Sequence, residues 1–358
     1  MRRENPLILG GGPAGASAGI ALVGAGIAAT LLERSREAED ALCGGFLSWR
    51  TLESLATLGI EAAALNPRPV TRVRLTTATR AAEVRLPAPA LGVSRRRLDA
   101  LLLARAQAAG VAVERGVTVR EVASGTVRLA DATVLTADRI LLATGKHDVR
   151  GSQRSHDVTD PTLGLRLRLP ASPHVTRLVG DAVELHLFDR GYAGLVLQED
   201  GSANLCLAVR RSRLRESGDP ATLIAALAQE SPRLGERLAH VDALPAADAV
   251  ANVPYGWRAT TTEAGVYRIG DQAAVIPSLA GEGMGIAIAS GIRAARALAA
   301  GTPAPTFQAD LARATRRPVA VASAIWHAAE HPATAAPLVA LSYAPVVRAA
   351  ARLTRINM

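Results

Sequence analysis

Short apolar runs alternate with a helical pattern in the first part of the chain. Leu7–Leu9 predicts a buried strand, the segment from about Ala14 to Ala25 predicts a helix, and residues 27–32 predict a second strand. Strands with no polar face are typical of parallel sheets covered by helices on both sides. The pattern therefore predicts a βαβ unit of an α/β fold.

The pattern changes to short adjacent strands in the middle of the chain, which predicts an antiparallel sheet. These strands are predicted at 70–76, 82–86, 165–169, 177–179, 183–188, 191–198 and 204–209. Glu199-Asp200-Gly201 supplies a hairpin turn. Helices are predicted at 220–229, 232–240, 286–300, 306–331 and 338–354. Arg348 and Arg352 in the last of these, with Arg355 just after it, lie at i, i+4 and i+7 and share one face, which we interpret as solvated.

These patterns predict three structural units. Residues 1–66, 92–150 and 257–302 form a discontinuous nucleotide-binding domain, residues 67–91 and 151–256 form a β-rich substrate domain, and residues 303–358 form C-terminal helices. At 358 residues the chain is long enough for two domains with full cores.

Composition indicates a soluble globular enzyme. The chain is 49% hydrophobic and 20% charged, and no uncharged apolar stretch reaches the roughly 20 residues that span a bilayer. The first apolar run is the predicted strand itself, so we expect no cleaved leader. The two cysteines, Cys43 and Cys206, have neither a disulfide framework nor metal-ligand spacing. We therefore expect a cytoplasmic protein without a metal.

The formal net charge of +9 raises the question of a polyanionic partner. Lys146 is the only lysine, the arginines are scattered, and aromatic residues are not interleaved with them as base stacking requires. We expect no nucleic acid partner. A preference for arginine over lysine explains the charge, and a weak attraction to anionic substrates or membrane surfaces is the alternative.

The glycines at positions 10, 12 and 15 form a GxGxxG turn between the first strand and the first helix. In such a turn Gly10 makes the tight bend, Gly12 admits a diphosphate, and Gly15 lets the helix pack on the strand. Glu33, 23 residues after Gly10, is placed to accept hydrogen bonds from an adenosine ribose. The sequence therefore predicts a dinucleotide site, with the diphosphate at the helix N-terminus next to Pro13 and Ala14.

Three further segments carry candidate ligand contacts. Cys43-Gly44-Gly45 would let the backbone lie close to a flat ligand, and Cys43 is either a small buried side chain or part of a redox face. Arg95 starts a helix capped by Ser94, where the helix dipole disfavours a positive charge. Either a nearby cofactor phosphate or adenine offsets this cost, or the arginine lies on a solvated helix face. Asp271 follows a strand and is placed to hold a ribitol hydroxyl.

Four motifs together resemble the flavoprotein family of aromatic-ring hydroxylases and geranylgeranyl reductases. They are Gly10 to Gly15 with Glu33-Arg34, the Ser-Arg-x-x-Leu-Asp start at 94–99, Ala143-Thr144-Gly145, and Gly270-Asp271 with Pro277 and the glycine-rich turn at 281–285. The resemblance covers roughly residues 5 to 300. It implies FAD, with NAD(P)H as a transient reductant, and a Rossmann-like FAD-binding domain of the glutathione-reductase type.

Cys43-Gly44-Gly45 and residues 187–192 look like the geranylgeranyl-reductase branch. The chain departs from the family at Thr144-Gly145-Lys146-His147, where the usual motif is Asp-Gly followed by Ser and Arg.

The predicted site consists of a cofactor set and a substrate set. The cofactor set is Gly10, Gly12, Pro13, Ala14, Gly15, Glu33, Arg34, Cys43, Gly44, Gly45, Arg95, Val119, Thr144, Gly145, Gly270, Asp271, Pro277, Gly281, Gly283, Met284 and Gly285. The substrate set is Phe46, Phe188, Tyr192 and Trp257, with Cys43 and Tyr192 as candidate catalytic residues.

Three functions are compatible with these residues. They are hydroxylation of an aromatic or polyketide-like molecule, reduction or dehydrogenation of a carbon–carbon bond in an apolar, isoprenoid-like molecule, and flavin binding without catalysis.

Overall fold

The computed structural model describes residues 2–123, 125–154, 158–241 and 243–356. The strands are β1 (Arg2–Arg3), β2 (Leu7–Leu9), β3 (Thr30–Glu33), β4 (Phe46–Leu47), β5 (Pro69–Thr76), β6 (Ala81–Gly92), β7 (Ala112–Arg115), β8 (Val119–Ala123), β9 (Thr126–Leu129), β10 (Val134–Ala137), β11 (Ile140–Leu142), β12 (Thr162–Leu169), β13 (Ala182–Phe188), β14 (Gly191–Leu197), β15 (Ala203–Arg210), β16 (Asp248–Val253) and β17 (Val266–Arg268).

The helices are α1 (Pro13–Gly24), α2 (Trp49–Thr57), α3 (Ala62–Leu65), α4 (Arg95–Ala109), α5 (Pro173–Val179), α6 (Arg211–Ser217), α7 (Pro220–Glu230), α8 (Pro232–Leu238), α9 (Gly283–Ala299), α10 (Ala304–Ala329), α11 (Pro332–Ala340) and α12 (Ala344–Leu353).

A five-stranded parallel sheet forms the centre of the nucleotide-binding half, with the strand order β17-β11-β2-β3-β7. Its side chains alternate between two cores. Ile8 and Leu31 pack with residues of α1, α4 and α9, whereas Leu7 and Leu9 pack against the small sheet β1-β10-β9-β8. Because both faces are covered, the central strands β2 and β11 are apolar throughout, whereas the edge strand β7 carries Glu114 and Arg115. The predicted α/β fold with a parallel sheet is confirmed.

An eight-stranded sheet forms the second layer, in the order β16-β12-β15-β14-β13-β5-β6-β4. All its neighbours are antiparallel except β13 and β5, which run parallel. One face packs on a core that includes residues of α5, α7 and α8. The predicted strand at 177–179 is wrong, because these residues form the end of α5. Ser172 caps this helix by accepting a hydrogen bond from the Val175 amide. That helix start overrides the short apolar run.

The C-terminal region is helical, as predicted, but contains three helices where two were expected. Pro332 and Pro345 lie in the first turns of α11 and α12, where proline needs no hydrogen-bond partner. Within the described residues no single helix is long and apolar enough to cross a bilayer. Among these residues, only α11 and α12 taken together are long and apolar enough for a membrane span, and the two helices are bent by 114° relative to each other.

The five-stranded sheet takes its strands from residues 1–66, 92–150 and 257–302, while β4 of the first segment pairs with β6 in the larger sheet. The division into three domains stays a proposal.

Candidate functional site

The turn between β2 and α1 has room only for glycine at two of its positions. Gly10 has φ +112°, and a Cβ there would lie 2.5 Å from the carbonyl oxygen of Ala143. A Cβ on Gly15 would lie 1.9 Å from the Gly10 oxygen, so Gly15 sets the contact between helix and strand. Gly12 is the extended N-cap of α1 and no side chain caps the helix. The first-turn amides therefore remain available to an anion in the cavity that Gly10, Gly12, Pro13 and Ala14 line.

Glu33 ends β3 beside this turn. Its Oε2 accepts a hydrogen bond from the Gly11 amide at 2.6 Å, and its Oε1 accepts one from the Ser35 amide at 2.8 Å. The parallel pairing of β2 and β3 brings the two strand ends together at one sheet edge. Glu33 and Arg34 both line the cavity next to the glycines.

Arg95 lies on the other side of the glycine turn. Its Nε and Nη2 donate to the two carboxylate oxygens of Asp99 at 2.9 and 2.7 Å, and a Cβ on Gly12 would lie 3.3 Å from Nη2. Burial opposes the charge, but the Asp99 carboxylate outweighs it and raises the pKa of Arg95. Burial also raises the pKa of Asp99, with Arg95 opposing that rise. The side chain of Arg95 is 15% exposed, so the alternative of a solvated face does not hold for it.

The ends of β11 and β17 bring two further segments to the same edge of the sheet. Thr144 and Gly145 follow β11, Gly270 and Asp271 follow β17, and the two strands are parallel neighbours. All four residues line the cavity. The Nζ of Lys146 lies 3.9 Å from Asp271 Oδ2 and 3.1 Å from the Leu42 oxygen. Sequence reasoning noted Lys146 as the only lysine but gave it no role.

The glycine-rich turn leads into α9 as predicted. Gly281, Gly283 and Met284 line the cavity, and a Cβ on Gly283 would meet no atom within 4 Å. Gly285 lies behind them, because a Cβ there would be 2.9 Å from both Glu282 Oε2 and Thr51 Oγ1. Pro277 is not among the lining residues and precedes the 3₁₀ turn Ser278–Ala280.

Residues 42–46 form another part of the cavity wall. Gly44 has open space where a Cβ would be, and Gly45 has φ +72° with the Val93 oxygen 3.0 Å from its Cβ position. Asn204 Nδ2 donates to the Cys43 oxygen at 2.9 Å. Cys43 and Phe46 line the cavity, as do Val119 and Cys206. Burial, aided by nearby Cys43, raises the pKa of Cys206 to about 12, so that thiol stays neutral.

One cavity of about 750 Å³ runs from the glycine turn into an apolar chamber. The chamber walls come from the eight-stranded sheet, the C-terminal helices, and the segments around Tyr255 and Ser278. They include Val73, Leu75, Leu86, Val183, Leu185, Tyr192, Cys206, Tyr255, Ser278, Leu279, Ile325, Leu338, Val346, Val347, Ala350 and Ala351.

Three hydroxyl groups form a cluster in this chamber. Ser278 Oγ is hydrogen-bonded to the hydroxyls of both Tyr192 and Tyr255. Burial raises the pKa of each tyrosine, and the neighbouring Tyr255 adds to the rise at Tyr192. Tyr192 was predicted to face the substrate, whereas Tyr255 and Ser278 belong to no sequence motif.

Arg355 connects the end of α12 to the start of α9. Its Nε lies 2.6 Å from Oε1 of Glu282, the N-cap residue of α9, and its guanidinium lies 3.7 Å from the ring centroid of Trp49. The side chains of Arg355 and Glu282 are 11% and 4% exposed. The interpretation of Arg355 as part of a solvated face is wrong, although Arg348 and Arg352 are exposed.

Two predicted substrate residues, Phe188 and Trp257, do not line the cavity. Side chains alternate along β13, so Phe188 points away from Val183 and Leu185 and packs in the core of the opposite face. Trp257 follows a turn at Gly256 (φ +87°) that separates it from Tyr255. Over the part of the chain that the structure describes, no group of three or more His, Cys, Asp or Glu could hold a metal ion.

Residues 5–146 match the family model described as "FAD binding domain". No curated protein matches the chain.

Solved structures similar to this one include the flavin-dependent brominase Bmp2, with 16% identity, a TM-score of 0.77, and coverage of 99% of this chain and 93% of that one. A flavoprotein/dehydrogenase from Cytophaga hutchinsonii has 14% identity, a TM-score of 0.76, and coverage of 96% and 90%. PqsL, a probable FAD-dependent monooxygenase from Pseudomonas aeruginosa, has 18% identity, a TM-score of 0.72, and coverage of 94% and 99%. At these identities the likeness shows the fold.

The residues present fit FAD. The glycine turn leaves uncapped amides beside Glu33 and Arg95, and open space at Gly44, Gly145 and Gly283 admits close approach of a flat ring. The expected flavoprotein fold with an FAD-binding domain is confirmed.

Proposed function

We propose that this flavoprotein is an enzyme that uses FAD to oxidise or reduce a small apolar, aromatic or polyketide- or isoprenoid-like molecule bound in the chamber beside the cofactor. The observation that carries the proposal is the single cavity, which joins the glycine turn and Asp271 to walls made of apolar side chains. Because a cofactor and a substrate in one cavity exclude water from each other, such an arrangement suits transfer of hydride or oxygen.

The cofactor's holding groups follow from the geometry. The amides at the start of α1 would bind the diphosphate, Glu33 the adenosine ribose, and Asp271 the ribityl chain. The amides at the start of α9, next to Gly283 and Met284, would face negative charge on the ring. Lys146 beside Asp271 adds a positive charge there.

When bound, FAD supplies the two-electron and oxygen chemistry. The chain's own residues bind the substrate, orient it and exclude water. The chamber walls remove water by their apolar surface, and α12 covers them with Val346, Val347 and Ala350. The Tyr192, Tyr255 and Ser278 hydroxyls keep their protons at neutral pH, since burial raises the pKa of both phenols.

Oxygen-dependent oxidation is the first candidate reaction, supported by the similarity of the fold to PqsL and Bmp2. Reduction or dehydrogenation of a carbon–carbon bond is the second, supported by the similarity to a structure described as a flavoprotein/dehydrogenase. We propose NAD(P)H as the reductant and a cytoplasmic location, both from the sequence.

Absorbance spectroscopy of the purified protein is the first test. We expect flavin bands that persist on gel filtration, or that appear when FAD is added to the apoprotein. A protein that stays colourless in excess FAD would refute the proposal.

Oxygen consumption with NADH or NADPH and candidate substrates then separates the two reactions. Product formed under strict anaerobiosis would exclude the oxygenase. If the reduced flavoprotein passes electrons to neither oxygen nor any substrate, the protein is a flavin-binding protein without catalysis.

A further inference from the structure

We propose that the substrate is an uncharged apolar molecule with one hydroxyl or carbonyl oxygen, and that the Tyr192–Ser278–Tyr255 cluster holds that oxygen. The inference rests on the proposed function, because it takes the chamber beside the cofactor as the substrate site. Three observations carry it: the charge of the walls, the hydrogen-bonding capacity of the cluster, and its neutral state.

The chamber walls carry one charged group. Among the described lining residues that come from the eight-stranded sheet, the C-terminal helices and the segment after α12, only Arg355 is charged. Its guanidinium is already paired with the buried Glu282 carboxylate and stacked on Trp49. The other charged pair near the chamber, Lys146 with Asp271, lies at the cofactor end of the cavity. Away from that end, a carboxylate or ammonium group on the substrate would lose its hydration without gaining a partner, which is costly. The walls thus select against ionised substrates.

The cluster has hydrogen-bonding capacity to spare. Three hydroxyls bring three protons, and the two bonds of Tyr192 and Tyr255 with Ser278 use two of them. The third proton is left to donate, and oxygen lone pairs are left to accept. A carbonyl oxygen can take the free proton, and a hydroxyl can both accept it and donate in return. An apolar ligand without oxygen would leave this capacity unused.

The cluster is uncharged at neutral pH. Burial raises the pKa of Tyr192 and Tyr255, so neither phenol is an anion that could attract a substrate cation. Tyr255 packs edge-on against Trp326 with ring centroids 5.3 Å apart, and Arg210, whose guanidinium lies over the Trp326 ring, is paired with Glu330. The negative charge of Asp271 adds to the rise in the pKa of Tyr255, and Asp271 is itself paired with Lys146. The cluster therefore positions a neutral oxygen by hydrogen bonds alone.

Calorimetric titration of the FAD-loaded protein with three matched probes tests the inference. The probes are 2-naphthol, naphthalene and 2-naphthoate, which share one ring system. The first carries a hydroxyl group, the second carries no substituent, and the third carries a carboxylate. We expect 2-naphthol to bind at least about ten-fold more tightly than 2-naphthoate. We expect Ser278→Ala and Tyr255→Phe each to weaken 2-naphthol binding by about five- to ten-fold while leaving naphthalene binding unchanged.

Tyr343→Phe is the matched control, because Tyr343 is 55% exposed and does not line the cavity. It should leave the binding of all three probes as in the wild type. Far-UV circular dichroism and flavin absorbance of each variant verify that it is folded and loaded.

Equal or tighter binding of 2-naphthoate overturns the inference, as does a hydroxyl preference that survives both cluster variants. Failure of all three probes to bind at about 1 mM overturns it as well, because an accessible neutral chamber should hold at least the smallest of them. Turnover assays on the same samples separate the two proposals. A protein that binds 2-naphthol through the cluster but never passes electrons contradicts only the proposed function. One that oxidises ionised aromatic compounds contradicts only this inference.

Discussion

Replacement of Arg355 by methionine should destabilise the protein in a way that depends on pH. Methionine keeps much of the side-chain volume but removes the ion pair with Glu282 and the stacking on Trp49. Glu282 would remain 4% exposed in the folded protein, where an unpaired carboxylate is costly. Ser48 Oγ donates a hydrogen bond to Glu282 Oε2 at 3.3 Å and would remain as a hydroxyl donor to this carboxylate.

Protonation of Glu282 limits how much stability the variant can lose. Breaking a buried ion pair by removing one partner costs about 3–5 kcal/mol. The carboxyl can instead take up a proton, at about 1.4 kcal/mol for each pH unit above its ordinary pKa of about 4.3, or roughly 4 kcal/mol at pH 7 and roughly 2 kcal/mol at pH 5.5. Loss of the cation–π contact adds about 1 kcal/mol at any pH.

The sign of the pH dependence follows from the direction of the pKa shift. Burial already raises the pKa of Glu282, with Arg355 and Ser48 opposing the rise. A carboxyl with a raised pKa contributes most to stability below its unfolded pKa and loses that contribution as pH rises through the folded pKa. Since the variant raises the pKa further, its deficit relative to the wild type grows from pH 5.5 to pH 7.

Urea unfolding at a fixed excess of FAD, followed by circular dichroism at both pH values, measures the deficit. Arg352→Met is the matched control, because Arg352 is an exposed arginine of α12, three residues before Arg355, and its replacement should change stability by less than about 0.5 kcal/mol. Adding Glu282→Gln to Arg355→Met removes the charge and should abolish the pH dependence. A deficit below about 1 kcal/mol that is equal at both pH values would refute the reasoning.

Two further predictions concern the glycine turn and a buried ion cluster. Gly15→Ala should abolish folding or FAD binding, whereas Gly12→Ala should fold and bind FAD at least about ten-fold more weakly. Gly24→Ala is the neutral control, because no atom lies within 4 Å of the position of its Cβ. Equal FAD affinity of the three variants in a fluorescence titration would contradict the prediction. Burial opposes ionisation of Glu184, but hydrogen bonds from His186 and Arg237 hold its pKa at about 2, so its contribution to stability should be present above about pH 4.3 and fall away toward pH 2. Glu184→Gln should cost about 3–5 kcal/mol at pH 7 and flatten that acid limb, as thermal unfolding across pH would show.

Local chemistry made the cofactor half predictable from the sequence. The turn at Gly10 requires a positive φ, the start of α4 uses the Ser94 side chain as its cap, and short apolar strands next to a helical pattern indicate a parallel sheet. Each of these signals lies within a few residues of the feature that it predicts. Glu33, at the end of the next strand, reaches the turn because parallel neighbours end at the same edge.

The substrate half depended on contacts between distant segments. Tyr192, Tyr255 and Ser278 lie on three separate parts of the chain that come together only in the folded protein, and their spacing in the sequence does not predict the contact. The helical periodicity near Arg355 correctly indicated a helix, but the partner that buries this arginine lies 73 residues earlier at Glu282. Phe188 was misplaced because one step along a strand exchanges the two faces of a sheet.

The contact between Arg355, just after α12, and Glu282, at the start of α9, would couple the substrate chamber to the cofactor site. A molecule in the chamber that contacts Val346 and Ala350 stabilises the docked position of α12, and thereby the contact of Arg355 with the residue that begins α9. Any gain in cofactor affinity produced in this way must be matched by an equal gain in substrate affinity when the cofactor is bound, because binding free energies are reciprocal. The change in cofactor affinity on substrate binding and the change in substrate affinity on cofactor binding then measure the same coupling free energy.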